Sequence, residues 1–258
     1  MEINLKGKRA LVCGGSDGIG KAIAGIFARS GTQVILAARS EEKLQTVLKE
    51  LPGDGHSYII ADFSRPEALE KKVKPLVSER PVHILINNSG GPAPGNISDA
   101  DPESLQTAFN SHVISSQILS AIVLEGMKKE KYGRIINIVS TSVREPIKGL
   151  GVSNTIRAAI AGWAKTLSSE VAPFGINVNN ILPGYTNTAR LRSLIEKKAM
   201  SAGKTIDEIK REMLSEIPAG RFAEPEEPAA LALFLASPFA SYITGVSIQV
   251  DGGKMKSI

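Results

Sequence analysis

The segment Cys13-Gly-Gly-Ser-Asp-Gly-Ile-Gly20 constrains this chain more than any other. It follows an apolar run at 9–13 and precedes an amphipathic stretch at 19–29, so it joins a strand to a helix. Gly14, Gly18 and Gly20 let the backbone turn tightly and lie close to an anion. The N-terminus of the helix that follows offers unpaired N–H donors and positive potential. Such turns also occur where a strand merely meets a helix. A parallel-sheet pattern downstream is what turns this one into a dinucleotide site.

That pattern is present. Runs at 9–13, 33–37, 57–61, 83–87, 134–139, 177–182 and 247–250 are rich in Val, Ile and Leu without clean alternation, which predicts strands buried on both faces. The stretches 19–29, 41–51, 66–80, 102–129, 156–172 and 225–236 predict helices between them. Pro66, Pro102 and Pro225 suit first turns. The expected architecture is one α/β domain over 1–258, a Rossmann-type doubly wound fold with a seven-stranded parallel sheet and helices on both faces. Hydrophobic residues at 42% and charged residues at 22% supply a core for it. A charged segment at 188–221 reads as a lid, with helices at 189–200 and 206–214 and a flexible joint at 201–204.

Composition narrows the partners. No continuous run reaches the roughly 18 apolar residues of a membrane span, and no signal peptide is read at the N-terminus, so no membrane is expected. The single cysteine, Cys13, excludes an internal disulfide and points to a reducing compartment, the cytoplasm. Net charge is +5, with basic clusters at Lys128, Lys129 and Lys131 and at Arg190, Arg192, Lys197 and Lys198. These read as solvated helix faces, with attraction of an acidic or phosphate-bearing partner as the sharper alternative. No nucleic-acid motif accompanies them.

Further motifs come in a set order: Gly14-xxx-Gly18-x-Gly20, Asp62-Phe63, Asn87-Asn88-Ser89-Gly90, Asn110, Gly133-Arg-Ile-Ile-Asn-Ile-Val-Ser140, Pro183-Gly184, Ile243-Thr-Gly245 and Asp251-Gly-Gly253. From about 5 to 253 the chain resembles the short-chain dehydrogenase/reductase family, most of all its bacterial 3-oxoacyl-carrier-protein reductases. The resemblance implies a nicotinamide cofactor held by Gly14, Ser16, Asp17, Gly18, Ile19 and Gly20. It places Asp62 at the adenine amino group, Asn88 at the adenosine ribose, and Thr186 and Thr188 at the nicotinamide carboxamide, with Phe63 and Gly90 also among the cofactor-binding residues. Asn87 is read as structural, satisfying backbone groups between strands, and Asp251-Gly-Gly253 as a turn. The implied partners are a small carbonyl or alcohol substrate, an acyl thioester among the candidates. A homodimer or homotetramer is implied through 102–129, 156–172 and the last strand.

The second strand ends in Ala37-Ala38-Arg39. No carboxylate is there to grip a ribose 2′-hydroxyl, and Arg39 can clamp a 2′-phosphate. NADP is therefore expected, with NAD as the alternative that Asp17 favours.

Carbonyl reduction needs a proton donor at the developing alkoxide. The family uses a Tyr with a Lys one helical turn on, a Ser that polarises the carbonyl, and an Asn that holds a relay water. Ser140 and Asn110 match the last two. At the Tyr and Lys positions stand Ser153 and Arg157. An aliphatic hydroxyl is a far weaker acid than a phenol, and a guanidinium does not shuttle protons. Losing the general acid costs on the order of 10²–10⁴ in rate.

Tyr185 is a weak substitute candidate. His56, His83 and His112 read as structural, with His112 pointing away from Asn110. Trp163 reads as core or subunit interface, and no metal-ligand cluster stands out. Three readings follow: an NADP-dependent reductase with an altered proton donor, a cofactor-binding homologue with little turnover, or a non-redox enzyme using Ser140 or Ser153 as nucleophile. The last lacks a histidine placed to activate either serine.

Overall fold

The structure, a computed structural model, describes residues 2–257, so the two ends of the domain expected over 1–258 lie outside the described residues. Seven strands form one sheet: β1 (Arg9–Cys13), β2 (Gln33–Ala38), β3 (Ser57–Ile60), β4 (Ile84–Asn87), β5 (Gly133–Ile138), β6 (Ile176–Pro183) and β7 (Ser247–Val250). Their order is β3-β2-β1-β4-β5-β6-β7, and every pairing is parallel.

The pleat divides the core between two faces. On β1, Ala10 and Val12 join one cluster, and Leu11 and Cys13 join the other. The first cluster meets α1 (Gly18–Arg29) through Ile23 and Phe27, α2 (Glu41–Glu50) through Leu44, and a late helix, Glu226–Ala236, through Ala232 and Leu235. The second meets α3 (Pro66–Glu79) through Leu69 and Val73. It also takes Val123 and Met127 from the long central helix and Ala164 and Val171 from the helix after β5. The doubly wound sheet expected from the apolar runs is the observed one.

Two helices depart from expectation, and both departures matter for the site. The stretch expected to be one helix at 102–129 is α4 (Pro102–Phe109), a π-helical turn at Asn110–Ile114, and α5 (Ser115–Glu130). A π turn inserts a residue and rotates everything after it, a change that no hydrophobic period announces. Over its most apolar 18 residues the stretch Pro102–Glu130 reaches a mean hydropathy of 1.2, enough by length and composition to cross a membrane, yet α5 packs here against α3, β4 and β5. The other departure is α6 (Gly151–Val171), which begins five residues before the expected 156. Leu150 caps it without a side-chain hydrogen bond, so no capping residue marked the start.

The segment after β6 forms α7 (Ala189–Ala202) and α8 (Ile206–Ser215), capped by Thr188 and by a Thr205–Glu208 capping box. The joint expected to be flexible is a defined turn, with Gly203 at φ +63 ending α7. Leu191, Ile195, Ile209 and Met213 give the pair its own small core. The last long helix is α9 (Glu226–Ala236).

An asparagine ladder crosses the sheet beneath the cleft. Asn87 Nδ2 donates to Asn137 Oδ1 at 2.8 Å, Asn137 Nδ2 to Asn180 Oδ1 at 2.8 Å, and Asn180 Nδ2 to Ser247 Oγ at 3.0 Å. Asn87 is structural as read, but its partner is a side chain and not backbone. Asn137 is only 1% exposed, so Asn137→Ala would strand a donor and an acceptor out of reach of water. We expect that variant to lose about 2–5 kcal/mol in urea unfolding with an unchanged m-value. A loss under about 0.5 kcal/mol would mean that the ladder contributes nothing.

Candidate active site

The cleft opens where the strand order reverses beside β1, at the carboxyl ends of β1 and β4. Gly14 stands at φ +61, and a Cβ there would meet Asn88 Nδ2 at 2.5 Å. A Cβ on Gly20 would overlap the Gly14 carbonyl. These two glycines are required by close approach, and Asn88 locks the turn by donating to the Cys13 carbonyl at 3.3 Å. Cys13 itself is buried, and burial pushes its thiol up to about 12.

The expected cofactor residues fall into three groups. Arg39, Asp62, Phe63 and Gly90 line one cleft of ≈ 1250 Å³. Burial pushes the Asp62 carboxyl up, but two hydrogen bonds from Ser64 and the charges of Arg39 and Arg65 outweigh it and leave Asp62 below the ordinary carboxylate range. Ile19, Asn88, Thr186 and Thr188 line a second cleft of ≈ 920 Å³. Gly14 and Ser16 lie in the turn between β1 and α1, and Gly18 and Gly20 fall in the first turn of α1.

Asp17 differs. Its carboxylate caps α1, accepting the Gly18 N–H at 2.7 Å, and it pairs with Lys43 at 3.4 Å. It borders the opposite side of α1, beside Lys21 and Gly25.

Of the four residues expected to carry chemistry, Ser140, Ser153 and Arg157 line the second cleft. Ser140 Oγ accepts the Ser142 N–H at 3.1 Å, which leaves its proton to donate. Ser153 is buried in the first turns of α6, and Arg157 lies one turn on, its Nη1 donating to the Ile138 carbonyl at 2.9 Å. Burial and the neighbouring Arg190 charge pull the Arg157 guanidinium down to about 10, and it stays cationic at neutral pH.

Asn110 stands apart from these three. Its Oδ1 accepts from Gln106 Nε2 at 3.1 Å, and it does not line the cleft that holds Ser140, Ser153 and Arg157. His112, two residues on, lies nearer to Arg157. His112 is buried beside Arg157, with Nδ1 at 2.7 Å from Ser89 Oγ and Nε2 without a protein partner. His56 and His83 are structural, accepting the Val34 and Arg9 N–H groups. All three histidines were expected to be structural, and each makes a hydrogen bond within the fold.

Two residues were missed. Arg190, expected on a solvated face, lines the cleft and donates to the Gly91 and Pro92 carbonyls at 2.9 and 3.1 Å. Lys254 lines it too and pairs with Glu216 at 2.7 Å. Tyr185 is a poor proton donor, because burial and its bond to Glu216 push the phenol up to about 12. Among the described residues no group of His, Cys, Asp or Glu could hold a metal ion.

Comparison with known proteins fits this geometry. A family model described as enoyl-(acyl carrier protein) reductase matches residues 14–254. The 3-oxoacyl-[acyl-carrier-protein] reductase of Vibrio cholerae is 36% identical over 252 residues, covering 97% of this chain and 98% of that one. The chain belongs to the short-chain dehydrogenase/reductase family. Among solved members, L-sorbose reductase from Gluconobacter frateurii, complexed with NADPH and L-sorbose, superposes with a TM-score of 0.93 at 30% identity over 100% of both chains. An actinorhodin polyketide ketoreductase with NADPH gives 0.91 at 29% identity over 97% of this chain and 98% of that one.

Two outcomes follow for this member of the family. Gly20→Ala should abolish the stabilisation that NADPH gives in a thermal-shift measurement, because the turn can no longer close; a shift equal to that of the unaltered protein would contradict the close-approach account. The second concerns acid. Burial and the Arg157 and Arg190 charges push the His112 imidazolium down to about 2. The unfolded chain takes up that proton near pH 6.5, so stability is lost as pH falls below that value. His112→Asn should remove about 2 kcal/mol of the stability difference between about pH 7 and pH 5 in urea titrations.

Proposed function

We propose that this protein is an NADP-dependent carbonyl reductase whose proton-donor site is altered, with Ser153 and Arg157 standing where the family has Tyr and Lys. The observation that carries the reading is the convergence of Ser140, Ser153 and Arg157 on one cleft that Thr186, Thr188 and Ile19 also line. Arg39, with no carboxylate at the end of β2, supports NADP over NAD. So does the NADPH in the related sorbose reductase and polyketide ketoreductase.

The bound dinucleotide supplies hydride to the carbonyl carbon. Ser140 donates a hydrogen bond to the carbonyl oxygen. Arg157 sets a fixed positive charge beside that oxygen, where negative charge grows as the alkoxide forms. Ser153 passes a proton from solvent without itself serving as an acid of useful strength. Reaction is thus carried by positioning and charge, with little general-acid help. A reducing compartment, the cytoplasm, and a homodimer or homotetramer built on α4–α5 and α6 belong to the same reading.

A second reading is a cofactor-binding homologue with negligible turnover, acting as regulator or partner subunit. What favours it is that, among the described residues, the one phenol lining the cleft is Tyr185, which is pushed up to about 12.

Thermal shifts with NADPH and NADH, followed by absorbance of the reduced cofactor with acetoacetyl thioesters and simple ketones, separate the two. Tight NADPH binding with no turnover supports the second. Ser153→Tyr combined with Arg157→Lys should raise kcat by on the order of 10²-fold or more. The unaltered enzyme should show a flat kcat between about pH 5 and pH 9, because His112 titrates near 2, Arg157 near 10 and Tyr185 near 12. A bell-shaped profile centred near neutrality would reveal a general acid other than these.

A further inference from the structure

The cleft between β5, the start of α6 and helix α7 carries unbalanced charge. Arg157, Arg190 and Lys254 line it, and among the described residues no Asp or Glu does. Lys254 is neutralised by Glu216 at 2.7 Å. The two arginines are not: among the described residues neither forms an ion pair. Their protein contacts are carbonyl oxygens alone, of Ile138 for Arg157 and of Gly91 and Pro92 for Arg190.

Two guanidiniums side by side, partly removed from water, repel each other, and an anion between them relieves both the repulsion and the desolvation. Helix α6 adds to the same field. It begins beside the cleft without a side-chain cap and with no acidic residue in its first turn, so its positive end meets only the Gly95 carbonyl, which accepts the Gly151 N–H at 2.9 Å. The lining also has an apolar part, made by Ile147, Leu150 and, from α7, Leu191 and Leu194.

We propose that the substrate is a short oxo acid, with its carboxylate bracketed by Arg157 and Arg190 and its ketone carbonyl against Ser140 and Ser153. This rests on the reductase reading above and names its substrate class. The planar guanidinium fork matches a carboxylate, and the apolar wall accepts the aliphatic tail. In the reaction, a hydride from the reduced dinucleotide forms the new C–H bond. The carbonyl π pair moves to oxygen, the alkoxide takes a proton from solvent, and a hydroxy acid leaves with the dinucleotide oxidised. Arg190 reaches the carboxylate from the lid, so substrate charge also helps hold α7 over the cleft.

The test uses calorimetric titration of the full chain saturated with NADP+. The probes are pyruvate, acetoacetate and 4-methyl-2-oxopentanoate, each against its neutral methyl ester. At least one acid should bind about tenfold or more tighter than its ester. Arg190→Gln, a change at an exposed side chain, should erase that preference. Arg157→Gln should do the same, with Arg157→Lys restoring part of it. If no acid binds better than its ester while NADP+ still binds, the oxo-acid inference falls and the reductase reading stands. If the arginine variants weaken NADP+ and leave the acid-to-ester ratio unchanged, the arginines serve cofactor phosphate and the inference also falls. If NADP+ itself does not bind, both fall together.

Discussion

Everything in this molecule hangs on β1 being paired on both sides by parallel strands that lead in opposite directions along the sheet. From β1 the order runs outward to β2 and β3 one way and to β4 through β7 the other. The connections must then pass over opposite faces, and none crosses the carboxyl ends of β1 and β4. A crevice is left there by topology. The turn after β1 has to double back into α1 within a few residues, which is why Gly20 lies against the Gly14 carbonyl and why neither position admits a side chain. Asn88, from the end of β4, then ties the two halves together at that point.

Within the crevice the balance of forces is electrostatic. A general acid is worth on the order of 10²–10⁴ in rate, about 3–5 kcal/mol. A preorganised donor or charge at a developing oxyanion is worth about 3–4 kcal/mol. The two contributions are of similar size, so on the proposed reading Ser153 and Arg157 in place of a phenol and a lysine would not by themselves remove the means of stabilising an alkoxide. They would remove the fast proton. The buried Arg157, the uncapped start of α6 and the neutral His112 beside them make a site whose charges stay fixed through the neutral range.

The polar interior beneath the cleft shows the corresponding structural constraint. Asn87, Asn137 and Asn180 occupy positions on three adjacent strands where apolar side chains would pack more simply. Each finds a partner in the next, so the cost of burying amides is offset along the row. The row ends in two buried atoms without protein partners, Asn87 Oδ1 and, across the same small pocket, His112 Nε2. Polarity there is concentrated where the clefts meet the sheet.

Much of this was legible in the sequence, because strands and most helices are set by local periodicity and by Gly and Pro at defined places. The seven apolar runs, the Gly14–Gly20 turn and the helix pair expected at 189–200 and 206–214 needed only neighbours along the chain. The cofactor-side residues Arg39, Asp62, Phe63 and Gly90 came from motif order, and the fold brings them to one cleft. What the sequence could not decide depends on phase and distance. A π turn at Asn110–Ile114 interrupts the stretch expected as one helix, and hydrophobic spacing carries no trace of it because both flanking helices remain regular. Whether Arg190 is a solvated charge or a cleft residue depends on where the lid folds back relative to Gly91, nearly a hundred residues earlier in the chain. The sequence by itself determined the fold, since strand and helix periods and the Gly-rich turn are local patterns. Only the tertiary structure decided which charges face one another, because that is a matter of through-space separation between elements remote in the chain.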